Sequence, residues 1–66
     1  MRIRFDTEAD ALYIRLHEGD IANSEEVSPG VIVDFDGMKR LVGFEVLDVR
    51  KRFPDADLAA VTFEAV

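Results

Sequence analysis

Three groups of side chains in this 66-residue chain have types and spacings that could do chemistry. Asp6, Glu8 and Asp10 stand at alternate positions of one acidic stretch, as hard oxygen ligands for calcium or magnesium would. That stretch lacks the length, the glycine at the bend and the terminal bidentate glutamate of a helix–loop–helix calcium site. The plainer expectation is bonding of these carboxylates to the backbone of their own turn. Asp34 and Asp36 flank Phe35, and an i,i+2 spacing on a strand puts both on one face, where a paired-carboxylate hydrolase would want them. Catalysis would also need a water-excluding pocket to shift a carboxyl pKa, and a chain this short has little material for walls. His17 and Glu18 would suit a general base and its orienting partner, but adjacent strand residues point to opposite faces, so the pairing fails. No serine lies in a nucleophile-elbow pattern, and the four glycines form no phosphate-binding loop. No catalytic residue, metal ligand or cofactor is therefore assigned.

A fourth group suits contact better than reaction. Tyr13 and Arg15 share the outward face of a strand, and aromatic and arginine side chains are enriched among interface anchors. Glu45 is placed across the sheet from them. The bland account of the trio is ordinary cross-strand pairing on a solvated face, about 0.2–1 kcal/mol per pair.

The elements that position these groups follow from a period of two. Arg2 to Asp6 alternates, with Ile3 and Phe5 on one face, and predicts a first strand. Thr7 to Asp10 reverses the chain. Leu12, Ile14 and Leu16 then alternate with Tyr13, Arg15 and His17, a second strand forming an antiparallel hairpin with the first. Glu18-Gly19-Asp20 makes the next turn. Ile21 to Val27 has no fully apolar face, which predicts a weaker strand that either lies at an edge, where its charges discourage pairing with other chains, or bends. Ser28-Pro29-Gly30 turns the chain into a β-branched fourth strand, Val31 to Phe35.

Asp36-Gly37-Met38-Lys39 is a hairpin loop with a strong Asp-Gly signal. Arg40 to Leu47 is the longest strand, central because both its faces are partly apolar, with Gly43 marking close packing or a bulge. One of its faces is expected to meet a short helix and the other solvent or a second subunit. Asp48 would cap that helix, Arg50, Lys51 and Arg52 would suit its C-terminal end, and Pro54 would close it. The tail permits helix by its alanines and strand by the alternation of Val61, Phe63 and Ala65 with Thr62 and Glu64. A turn near Asp55 to Leu58 and a C-terminal strand are expected. The fold class is α+β, mainly antiparallel β: one domain over residues 1–66, a single sheet of about five strands, a short helix and that final strand.

Bulk composition narrows the function classes. With 48% hydrophobic and 33% charged residues the chain is globular. One core of this size rarely supplies more than about 3–5 kcal/mol, and the usual supplements are disulfides, metals or oligomerisation. No cysteine is present and His17 is the lone histidine, so self-association is the supplement expected. A net charge of −6 repels phosphate backbones, and the run Arg50-Lys51-Arg52, flanked by Asp48 and Asp55, reads as a solvated helix end and not as a nucleic-acid patch. The acidic balance fits a basic protein partner. No apolar run approaches signal-peptide or membrane-span length, which points to the cytoplasm and to no membrane.

Taken together, FDTEADALYIRL, SEEVSPGVIVDFD and RLVGFEVLDVRKR resemble a small prokaryotic family known as domain of unknown function 2283, over about Arg2 to Arg52. The resemblance implies a single-domain, mainly antiparallel β fold with a short helix, and no activity, catalytic residue or cofactor. Some members are suspected to be the antitoxin-like half of a two-gene pair, which makes protein binding the favoured expectation: a non-enzymatic interaction module, homo-oligomeric, or the partner of a small basic protein. The competing reading is a metal-dependent or carboxylate-based enzyme or a small-ligand binder.

Overall fold

The computed structural model describes residues Met1–Val66. Five strands form one antiparallel sheet: β1 (Arg2–Asp6), β2 (Ala11–Arg15), β3 (Asn23–Ser28), β4 (Val31–Phe35) and β5 (Leu41–Val46), in the spatial order β1-β2-β5-β4-β3. The last strand is thus the central one, inserted between the hairpins β1–β2 and β3–β4, as its two partly apolar faces predict. The charged strand β3 lies at an edge, one of the two outcomes expected of it. Connecting β2 to β3 takes residues 16–22 past the end of the sheet from one hairpin to its far edge.

The registers align side chains into rows that cross all five strands. On one face Ile3, Ile14, Phe44, Val33 and Glu25 form a row, and Phe5, Leu12, Val46, Val31 and Ser28 form the next. On the other face the rows are Arg2, Arg15, Gly43, Asp34 and Ser24, then Arg4, Tyr13, Glu45, Ile32 and Glu26. One face is therefore apolar and the other polar. Bulges at Glu26/Ser28 and Asp34/Phe35 interrupt the alternation.

Turn chemistry accounts for the connections. Asp6 Oδ1 accepts the Glu8 and Ala9 amides at 3.0 and 3.1 Å, the backbone bonding expected of that carboxylate. Gly30 takes the positive φ of 76° that the Pro-Gly turn demands. In the β4–β5 loop the left-handed residue is Lys39, at φ 63°, and not Gly37. The loop closes instead through Asp36, whose backbone carbonyl accepts the Lys39 amide at 3.0 Å while its side chain holds the amides beyond.

Two expectations fail. Helix α1 is the single turn Val49–Arg52, and Asp48 does not cap it: Asp48 sits in the left-handed region at φ 56° with no side-chain bond to the helix. The cap comes from the first hairpin, because the Asp10 carbonyl accepts the Val49 amide at 3.1 Å and Asp10 Oδ1 the Arg50 amide at 3.1 Å. One turn is about 6 Å long, whereas five strands span about 19 Å between the outer axes, so the helix cannot form a layer. The architecture is mostly β, with a helical turn at one end of the sheet. The C-terminal strand is also absent: residues 53–66 contain no strand, and Val61 and Phe63 are exposed. Both sheet edges carry charge, arginines on β1 and glutamates on β3, which disfavours the addition of a further strand at either.

Burial is sparse. Among large side chains, only Val42 and Val49 are fully enclosed, at 0% and 1% exposure. Phe44, on the central strand and flanked by apolar neighbours on both sides, stays half-buried, whereas Val42, two residues earlier on the same strand, is enclosed.

Candidate functional site

The polar face is built around a missing side chain. Gly43 stands on the central strand between Arg15 and Asp34, and a Cβ there would lie 2.5 Å from the Ile14 carbonyl oxygen and 3.1 Å from the Tyr13 hydroxyl. The bare position opens a diagonal path across the sheet. Along it Tyr13 donates its hydroxyl to Asp34 Oδ2 at 2.9 Å, while Ser24 from the edge strand donates to Asp34 Oδ1 at 2.6 Å. Strands β2 and β3 are thereby both tied to Asp34 of β4, which is only 8% exposed. Burial, reinforced by the bond to Asp34, pushes the Tyr13 phenol above its ordinary value, and neighbouring Arg15 opposes the shift.

Of the predicted contact residues, Tyr13 and Glu45 face each other in register as expected, and Arg15 shares their face. All three are half-buried. Tyr13 is committed to Asp34, and Arg15 donates to the Gly19 carbonyl and approaches Glu18 Oε2 at 3.5 Å. Sequence reasoning missed Asp34 and Ser24 as their companions. The one signal that could have found them is Gly43, since a glycine inside a central strand leaves a gap that a long side chain from the next strand can cross.

Asp34 and Asp36 do not act as a pair. Asp34 serves the Tyr13 network, whereas Asp36 organises the hairpin loop: Oδ1 accepts the Met38 and Arg40 amides, each at 2.9 Å, and Oδ2 accepts Arg40 Nε at 2.8 Å. Those bonds, led by the Arg40 amide, hold the Asp36 carboxyl below its usual range. His17 finds no orienting carboxylate in Glu18. Its Nδ1 lies 3.2 Å from the Glu18 carbonyl oxygen and its Nε2 3.9 Å from Asp36 Oδ2, while the Glu18 carboxylate turns to Arg2 at 3.0 Å.

The acidic turn is likewise divided. Asp6 bonds its own turn, and Asp10 is taken by Arg50, whose Nε donates to Oδ1 at 2.9 Å and holds that carboxyl below its ordinary value. No cluster of three or more histidine, aspartate or glutamate side chains is placed to hold a metal ion. Arg50 also donates to the Thr7 carbonyl and lies over the Phe5 ring, 5.8 Å from its centroid. Arg52 donates to the Leu47 and Pro29 carbonyls. Two of the three consecutive basic residues therefore pin turns to the end of the sheet. No helix is long and apolar enough to cross a membrane.

Residues 2–50, from the start of β1 into the helical turn, match the family model described as "Protein of unknown function (DUF2283)". The chain belongs to that family. No curated protein and no solved structure matches it.

Proposed function

We propose that this protein is a non-enzymatic interaction module that works through the apolar face of its sheet, and that the first occupant of that face is a second copy of the chain. The observation that carries this reading is the row Ile3, Ile14, Phe44, Val33: four apolar side chains in register across four strands, none of them buried. Sheets bury at least one face, and two sheets stacked about 10 Å apart would close this one without new chemistry. The area-based driving force is about 25 cal/mol per Å² of apolar surface removed from water, and a chain with two enclosed large side chains leaves most of that unused. The polar face supports the same reading, because its two buried carboxyl groups, Asp34 and Asp36, are engaged in holding strands and a loop together. A basic protein is a further partner that the net charge of −6 favours.

Sedimentation equilibrium of the whole chain tests the proposal. A dimer or larger assembly is expected at micromolar concentration, dissociated by Val33→Asp, which puts a charge in the middle of the row. A cooperatively folded wild-type chain that remains a monomer at about 100 μM, where even weak homodimers form, overturns it whatever the variant does.

A further inference from the structure

The polar face is segregated by charge, and its basic half has no counterpart in the reading above. Arg2 and Arg15 stand directly opposite each other on β1 and β2, and Arg4 lies one row along, beside Tyr13. Three of the eight basic residues of an acidic protein thus line one shallow concavity of about 390 Å³, whose five lining residues include no acid. Like charges directly opposite in an antiparallel pair destabilise it unless an anion lies between them. Glu18 supplies one from the following turn: its Oε1 is 3.0 Å from Arg2 Nε and its Oε2 3.5 Å from Arg15 Nε. That carboxylate side chain is 70% exposed and free to swing aside. Two cationic capacities are left over. Arg4 is in none of the ion pairs of the chain, and Arg15 Nε, closed from solvent, has no hydrogen-bond partner.

We propose that the Arg2–Arg4–Arg15 concavity binds a phosphate-class dianion, with Glu18 acting as a built-in competitor that occupies the site when it is empty. Planar guanidinium groups present paired donors that match such an oxyanion, and three positive charges against one carboxylate leave a surplus that suits two negative charges. Tyr13 forms a wall and is held in place by Asp34. The site's three arginines and Tyr13 lie on the face opposite the proposed contact row, and only Ile3 borders both, so the anion titration and the sedimentation test read different side chains.

Titration calorimetry of the whole chain with inorganic phosphate, at constant ionic strength, tests it. Glu18→Gln is expected to tighten binding about tenfold and Arg4→Gln to weaken it about tenfold, each the equivalent of one charge-assisted bond. Arg40→Gln, outside the concavity, should leave affinity unchanged. Phenyl phosphate titrated alongside distinguishes a free anion from one carried on a larger molecule, and tighter binding of either supports the site. No binding heat in the millimolar range, equal losses for the Arg4 and Arg40 variants, no gain from Glu18→Gln, or acetate binding as well as phosphate would each overturn the proposal.

Discussion

The two faces of the sheet are made from the same five strands, yet they solve opposite problems. The centre of the polar face satisfies itself: Tyr13 and Ser24 meet on Asp34, Gly43 clears the path between them, and four of the six buried residues, Ala11, Asp34, Asp36 and Gly43, lie on that face or on its continuation into the β4–β5 loop. The apolar face carries the bulk of the hydrophobic side chains and leaves its central Phe44 half-buried. Specific hydrogen bonds can be completed within one layer of structure, whereas hydrophobic burial needs a second layer, which this chain supplies over Val42 but not over the row through Phe44. Residues capable of chemistry are therefore poor guides to the apolar surface left open.

That contrast can be broken most sharply at Gly43. In Gly43→Ala the new Cβ meets a backbone carbonyl at 2.5 Å, which no rotamer change relieves, and a loss of about 3 kcal/mol is expected in denaturant unfolding. A loss under about 0.5 kcal/mol, the range of a neutral surface change, would show that the polar face is looser than its bonds indicate.

A smaller effect belongs to Tyr13→Phe, which removes the hydroxyl donated to Asp34 and should cost about 1–2 kcal/mol. This variant also sharpens the comparison through pH. The phenol is raised in the folded chain, so the unfolded chain ionises first as alkali is added. Tyr13 contributes its full stability below the ordinary phenol value of about 10 and loses it as pH rises through the higher folded value. Melting curves taken on both sides of pH 10 should converge for wild type and variant at the alkaline end. Parallel curves would assign the Tyr13 effect to packing alone.

Least of all should follow from deleting residues 55–66, which contain no strand and leave Phe63 77% exposed. Unfolding free energy should change by no more than about 0.5 kcal/mol. A substantial fall would place a tail segment on the sheet after all and make the apolar face less open than described.

Period-two alternation was enough to find all five strands and the central place of β5, and to allow the edge position of β3, because each depends on which face of a short segment is apolar. It also placed Tyr13, Arg15 and Glu45 on one face. What escaped depends on contacts between distant residues. Asp10 caps a helix forty residues away, and nothing near Asp48 announces that the local acid will not do so. Asp34 looked like half of an Asp34/Asp36 pair, but a bulge at Asp34/Phe35 and two different sets of donors separate them. Val61, Phe63 and Ala65 alternate as well as Leu12, Ile14 and Leu16 do; the difference is that β2 has neighbours on both sides and the tail has none.

The central place of β5 has a bearing on how the protein is made. Strands β1 to β4 leave the ribosome as two hairpins that share no pairing, because the strand that joins them is the last to be synthesised. Until residue 46 has emerged, β2 and β4 each present a bare row of amides and carbonyls to any strand within reach. A chain truncated inside the β4–β5 loop would therefore be a fragment prone to stick to its own kind, since both strands that β5 normally pairs with would stay bare.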